Sequence, residues 1–512
     1  METPQDTDRQ TWAFRAALAG AGLVGALLVL IASAPQGLWV SPDSMVYADV
    51  ARHIAAGAGI QATNIHGQPE FVLTWPPLYP LLMSPFVALG AEPGDVGRWL
   101  NALANGLLAV LTGLCARRIT GLRAAGGAAA WLSALASSFL LNAATFWSEA
   151  VFLAIVAGAL LCLLRWSAQR RWQWLVAGGA LIGLACLQRY AGYAFVAAGA
   201  VWVLQLRGAW RERLKNAGIF MAAAAPLPVL WRICVLVFAG QVDARAVGFA
   251  WPDSEHFVAV GYAVAAWLFP VGWPTLVRAG LAVLTVGAIV GGIGFTAWHR
   301  LRRMHDHRLE PAAPLLAIFA LAYAGLVATT ILFFDHPLHA NERILSPLLP
   351  LLLIALVWLA FAQTGRRRVA ACMLLAMIGL GYAVRDIDVI SQVRQGQAWS
   401  EPRWTDSPLI AGVEQLPADA PIASNWREVI MYYTGRPVAD VPMGSGSEIL
   451  RPPGTVPFPD PPAARALLLN RLKQGRGYIA WFWTEGHTEV PPELAGFRVV
   501  ARYSDGVILA VD

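Results

Sequence analysis

The sequence predicts a polytopic α-helical membrane protein of about eleven transmembrane helices, with a small C-terminal α/β domain outside the membrane. Three observations predict it. Of 512 residues, 57% are hydrophobic and only 14% charged, whereas a soluble chain carries about 25% charge. Apolar runs of roughly 20 residues, the reach of a helix across a bilayer core, recur along the chain. Basic residues gather in alternate loops. Together with a mean hydropathy of +0.53, these features exclude an ordinary water-soluble enzyme and a disordered chain.

The apolar runs lie near 16–34, 98–116, 124–142, 147–164, 175–188, 190–206, 216–238, 279–298, 312–334, 345–362 and 369–385. Loops at 117–123, 165–171, 207–215, 299–308 and 366–368 hold 17 Lys+Arg, and the alternating loops hold four: Arg52, Arg98, Arg245 and Arg343. Positive residues mark cytoplasmic loops. The expectation is a multi-pass protein of the inner (cytoplasmic) membrane, N-terminus cytoplasmic and C-terminus extracytoplasmic. Ala32-Ser33-Ala34 after the first run resembles a signal-peptidase site, but the run is long for a signal peptide and reads better as an anchor.

The charge divides with the chain. Residues 386–512 carry 11 Lys+Arg and 15 Asp+Glu, a net of −4, and the preceding part a net of +10. In a membrane protein that positive charge faces anionic lipid, not nucleic acid. The expected division is a membrane domain at 1–385, with a first outer loop at 35–77, and an α/β domain at 386–512. In the tail, strand-like runs at 478–483, 497–503 and 506–511 alternate with helical patterns at 408–415 and 463–473. No Walker A segment occurs anywhere and no Gly-rich fingerprint opens a helix in the tail, which argues against an ATP-driven pump. All five cysteines fall in apolar runs, so neither a disulfide framework nor a zinc spacing exists, and each reads as structural.

Two outer segments look interfacial. From Met45 to Ala56, Val46, Tyr47, Val50 and Ile54 share one helical face and Asp49, Arg52 and His53 the other, the pattern of a helix lying on the membrane. Residues 257–275, with Phe257, Trp267, Phe269, Trp273 and Pro274, read as interfacial or re-entrant.

Ionisable groups at or inside a membrane are costly and therefore candidate sites. Asp43, after the first run, reads as an N-cap of the outer helix or as a catalytic carboxylate held at the surface. Glu149 opens the fourth run, where the helix dipole also favours a carboxylate. Arg189 is the lone charge between the fifth and sixth runs and suits an anionic headgroup or a carboxylate. The loop Asp335-His336-Pro337-Leu338-His339-Ala340-Asn341-Glu342-Arg343 leads into a late run. Its Arg343 suits a lipid phosphate through its planar fork, or else snorkels. His336 and His339 offer ligands to a divalent metal, on a spacing that specifies little.

Several of these segments, in order, resemble GT-C glycosyltransferases of the family 39 type, the group of aminoarabinose transferase and protein O-mannosyltransferase. They are Pro42-Asp43-Ser44 with Tyr47, Trp75-Pro76-Pro77-Leu78-Tyr79-Pro80, Ser148-Glu149-Ala150-Val151-Phe152, and Arg343 with Pro347 and Pro350. The resemblance implies an inverting enzyme that takes a sugar from a polyprenyl-phosphate carrier on the outer side of the membrane and gives it to an acceptor hydroxyl. It implies Asp43 as general base, and Arg343 with Arg189 as binders of the donor phosphate. Tyr47, Glu70, Glu149, His336, His339 and Glu342 are supporting candidates. No cofactor is implied beyond a divalent metal at those histidines. The partners implied are the lipid-linked donor, membrane lipids, and a lipid, glycan or protein acceptor, without nucleic acid. The chain departs from the O-mannosyltransferase pattern by carrying Asp43-Ser44 instead of Asp-Glu, and Glu70 sits several residues early for the aminoarabinose pattern, so the acceptor does not carry over. The alternative is a transporter or lipid flippase of the cell envelope. Against it, the chain lacks similar halves and concentrates its candidate residues in outer loops.

Overall fold

Apolar runs become helices because a segment in hydrocarbon must satisfy its own backbone N–H and C=O groups. The computed structural model describes residues 4–72, 74–239, 247–268, 280, 312–442, 461–484 and 488–511. Among them, five helices are long and apolar enough to cross a membrane: Gln10–Ala32, Pro93–Thr120, Glu149–Gln169, Ala312–Phe333 and Gly365–Gln395. Two bent pairs raise this to seven, Arg123–Ala134 with Ser137–Ala144 (47°) and Trp210–Ala224 with Pro226–Ala239 (46°). The first bend follows Ala136, whose ψ of 108° leaves the helix. The second falls at Pro226, which lacks the N–H that a continuing helix needs. Leu78–Ala88, Trp172–Gln188, Tyr190–Gln205 and Leu348–Ala362 are shorter apolar helices. All of the expected run at 279–298 except residue 280, the basic loop at 299–308, Arg245, and Phe269, Trp273 and Pro274 lie outside the described residues. The first part of 257–275 belongs to helix Ser254–Leu268.

The chain divides into two units. The first comprises Met1–Pro35, Leu73–Tyr79 and Gly97–Arg394. Its helices sort residues as a bilayer requires, with large apolar side chains outward. Helix Gly365–Gln395 buries Leu375, Ile378, Gly379 and Tyr382 at helical spacing, while Val369, Met373, Met377 and Leu380 are exposed. Close packing rests on glycine where backbones meet. A Cβ at Gly183 would lie 2.7 Å from the Ala224 carbonyl oxygen, and one at Gly192 would lie 2.5 Å from the Cys186 nitrogen. Gly192 thereby lets the turn Tyr190–Gly192 fold back on helix Trp172–Gln188, and Arg189 sits at that junction. Tyr79 is fully buried. It donates to Asn101 (2.9 Å), whose amide donates to the carbonyls of Ala143 and Thr145.

The second unit comprises Gln36–Val72, Pro80–Val96 and Gln395–Asp512. It contains a five-stranded mixed sheet in the order Val438–Asp440, Ile422–Ser424, Tyr478–Phe482, Gly506–Ala510, Arg498–Arg502. The first two junctions are parallel and the last two antiparallel. Ala423, Ile479, Trp481, Val507 and Leu509 build its core with Leu468 and Leu472 of helix Pro461–Gln474. The amide of buried Asn425 pairs with both backbone groups of Phe482 (3.0 and 2.9 Å).

The outer helix runs Pro42–Ala55, and its polar face is largely covered. Asp49 is only 7% exposed and accepts from the Thr63 N–H (2.6 Å) in the hairpin of Gln61–Thr63 and Pro69–Phe71. Arg52 pairs with Glu92 and donates to the carbonyls of Met431 and Tyr432. Helical periodicity identified a polar face. The structure adds that this face meets protein groups that satisfy it.

Candidate functional site

The helix that carries Asp43 begins two residues earlier than a capping Asp requires. Ser41 occupies the N-cap, its backbone N–H donates to Ser44 Oγ (2.9 Å), and Pro42 fills the first helical position. This corrects the N-cap reading: Asp43 stands in the first turn, half-buried. Proline is favoured at that first position because its missing N–H has no partner there anyway. Tyr47, one turn on, is buried. Below them His53 Nδ1 lies 3.4 Å from Asp49 Oδ1. That carboxylate raises the pKa of His53 above its ordinary 6.5. Glu70 is exposed on strand Pro69–Phe71 and accepts from the Asn64 amide (3.2 Å).

In the first unit three of the singled-out residues converge. Glu149, 2% exposed, opens helix Glu149–Gln169, where the dipole favours its charge. Arg189 Nη1 lies 2.6 Å from Glu149 Oε1, and Arg343 Nε donates to the same oxygen. The other carboxylate oxygen, Oε2, is buried and has no hydrogen-bond partner among the described residues. Each part is held from behind. Arg189 is extended (φ −152°, ψ 138°) where helix Trp172–Gln188 ends, and the neighbouring Gln188 donates to the Ser148 carbonyl (3.0 Å). Arg343 stacks on Trp147, 3.8 Å from the ring centroid. Its short helix Glu342–Leu345 is capped by Asn341, and Tyr323 donates to the Ile344 carbonyl. Two guanidiniums on one carboxylate leave a formal net charge of +1. Preoriented guanidinium donors of this kind bind phosphate oxygens well.

Next to Arg343, Glu342 accepts from both terminal nitrogens of Arg385 (3.0 and 2.7 Å) and from Ser138. Sequence reading named Glu342 and missed Arg385, which closes the last apolar run. The histidines of the same loop take up a different arrangement. Buried His256 directs Nε2 at the His336 carbonyl (2.7 Å) and Nδ1 at Asp253 Oδ1 (2.7 Å). This pairing raises the pKa of His256 and lowers that of Asp253. His339 stacks on His256 at 4.9 Å and lies 3.5 Å from Glu255. The group able to hold a metal among the described residues is Asp253, His256 and His339, with ligand atoms within 4.8 Å of one another. His336 does not belong to it. Asp253 and His256 went unnoticed in the sequence, although their spacing of three at a helix start was visible.

The family model described as Dolichyl-phosphate-mannose-protein mannosyltransferase matches residues 74–231, a stretch containing Glu149 and Arg189. No curated protein matches the chain by sequence. Among solved structures, ArnT from Cupriavidus metallidurans in the apo state shares 16% identity, with a TM-score of 0.60 over 95% of this chain and 96% of ArnT. The chain has the GT-C fold. ArnT bound to undecaprenyl phosphate is similar at 15% identity and a TM-score of 0.56, with the same coverage. AglB from Archaeoglobus fulgidus, in complex with an inhibitory peptide and a dolichol-phosphate, shares 14% identity and has a TM-score of 0.58, over 92% of this chain and 69% of that one. These GT-C proteins are glycosyltransferases.

Proposed function

We propose that this GT-C chain is an integral membrane glycosyltransferase that moves a sugar from a polyprenyl-phosphate donor to an acceptor hydroxyl. One observation carries the reading: two guanidiniums share the single carboxylate of Glu149, giving a preformed site of net charge +1. A neighbour of the same fold was solved with undecaprenyl phosphate, and a phosphate headgroup is the anion such a site suits. Glu149 orients both arginines without cancelling them, so no reorganisation is needed when the anion arrives.

In this reading the acceptor attacks C1 of the sugar with inversion. The bond from C1 to the phosphate oxygen breaks, and the lipid phosphate leaves as an anion. Arg343 and Arg189 stabilise that charge, so the leaving group needs no general acid. Asp43 takes the proton of the attacking hydroxyl. Its place in a first helical turn suits the role, because the dipole there favours the ionised carboxylate. The reaction lies on the outer side of the inner membrane, with the N-terminus cytoplasmic, about eleven spans in residues 1–385, and residues 386–512 extracytoplasmic.

The test is transfer in proteoliposomes holding polyprenyl-phosphate sugars and candidate lipid, glycan and peptide acceptors, followed by mass spectrometry. Release of free polyprenyl phosphate together with a glycosylated product is expected. Movement of intact donor across the bilayer without covalent product would overturn the reading in favour of a flippase.

A further inference from the structure

The helix Glu342–Leu345 is a single turn, too short to hold its own direction without tertiary contacts. Arg343 projects from it, so the aim of that guanidinium depends on what fastens the turn. Two anchors act at Ile344: its N–H donates to the Asn341 side chain (3.1 Å), and its carbonyl accepts from Tyr323 (2.5 Å). At the start of the turn the anchor is the carboxylate of Glu342. Arg385 Nη1 donates to its Oε2 (3.0 Å), Arg385 Nη2 donates to its Oε1 (2.7 Å), and Ser138 Oγ donates to Oε2.

We propose that Glu342 is a positioning residue for the phosphate site: gripped by Arg385 and Ser138, it sets the turn so that Arg343 faces Glu149 before a lipid phosphate arrives. The inference rests on the reading of Arg343 as a phosphate binder. Trp147 and Glu149 hold the Arg343 side chain, whereas Glu342 holds the backbone from which that side chain extends. A two-point contact between guanidinium and carboxylate fixes a plane as well as a distance.

The supports of Glu342 are themselves tied together. Arg385 stands on the 31-residue helix Gly365–Gln395. Ser138 stands in the first turn of Ser137–Ala144, just after the 47° bend that separates it from Arg123–Ala134. Its neighbour Ser137 donates to the carbonyl of Tyr382 (3.1 Å), one turn before Arg385 on the same long helix. Buried Tyr382 in turn donates to the carbonyl of Trp267 (2.5 Å). The bend therefore delivers one donor to Glu342 and the long helix delivers two. The side chains of Glu342 and Arg385 are only 22% and 21% exposed, unlike the solvated surface pairs that hold little. Glu342 and Arg385 also sum to zero charge, so the clamp sits beside Arg343 without cancelling the charge offered to a phosphate.

The test is a double-mutant cycle with Arg343, which isolates coupling between two positions. The full chain in nanodiscs is titrated with undecaprenyl phosphate and read by native mass spectrometry, with the carrier concentration raised for the weaker variants. Glu342→Gln combined with Arg385→Met removes the clamp at constant net charge and should weaken binding roughly tenfold, a size usual for residues coupled through one network. Arg385→Lys, which keeps the charge and loses the fork, should weaken it roughly threefold, and it keeps the test valid should the double variant misfold. In an Arg343→Ala background the same changes should alter binding by less than about twofold. Equal losses in both backgrounds would overturn the proposal, since Glu342 would then support the fold at large. Unchanged binding in the wild-type background, with Arg343→Ala weakened, would overturn it while leaving the phosphate site standing. Binding by Arg343→Ala equal to wild type would remove the phosphate reading itself, and this inference with it.

Discussion

Replacing Arg343 by alanine separates a phosphate-binding arginine from one that merely snorkels. In the structure Arg343 supplies one of two positive charges around buried Glu149 and is held flat on Trp147. Its removal takes the cluster from +1 to neutral while Glu149 keeps Arg189 as a partner (2.6 Å), so no buried carboxylate is stranded. The loss to a bound phosphate is then at least one charge-assisted hydrogen bond, about 1.5–3 kcal/mol. The accompanying attraction brings the upper bound to about 4 kcal/mol for unit charges 4 Å apart at an effective dielectric of 20. At 1.4 kcal/mol per tenfold, a loss of about 2–4 kcal/mol weakens binding roughly 30- to 700-fold. The assay is titration of the purified protein with undecaprenyl phosphate in nanodiscs, read by native mass spectrometry. Arg343→Lys, which keeps the charge without the fork, should fall within about tenfold of wild type. Binding by Arg343→Ala within twofold of wild type, with the fold intact, would refute the reasoning and make Arg343 an interfacial anchor.

Three further outcomes are expected. Glu149→Gln leaves two part-buried guanidiniums facing each other without a counter-charge, and should lower stability in detergent by on the order of 2–3 kcal/mol after allowance for the exposure of the arginines; an unchanged unfolding temperature would contradict this. The pairing of His53 with Asp49 holds the His53 pKa above 6.5, so its contribution is complete below pH 6.5 and fades as pH rises through the higher folded value. Wild type should therefore lose stability on going from pH 6.5 to 8, and a thermal-shift series should find that step missing in His53→Gln. Ser44→Ala removes the hydroxyl that accepts from the Ser41 N–H (2.9 Å) at the start of the helix that carries Asp43 and should cost about 1 kcal/mol, seen as faster amide exchange at Ser41.

How far the sequence spoke can be judged residue by residue. Helices were legible from apolar runs because a bilayer imposes one length and one backbone solution. Glu149, Arg189 and Arg343 were each suspect as charges in an apolar setting, yet their convergence was not. Arg343 lies 194 residues from Glu149, and no local pattern reports such a pairing. Asp49 was assigned to a polar face correctly, but periodicity does not distinguish water from the Thr63 N–H. The cap at Ser41 was recoverable from Pro42, since proline marks the first helical position. Arg385 was hidden as the last residue of an apolar run. The histidine loop was half seen: His339 was named for its spacing from His336, whereas its neighbours in space are His256 and Asp253.

The central claim is transfer from a lipid phosphate with Asp43 as base. It is tested most directly by comparing membranes that contain wild type with membranes that contain Asp43→Asn at matched expression, using mass spectrometry to follow polyprenyl-phosphate-linked sugar and glycosylated product. The account predicts consumption of donor and appearance of product with wild type, and a rate lower by roughly 10²–10⁴-fold with Asp43→Asn. Equal consumption by the two would contradict it and move the catalytic carboxylate to another residue.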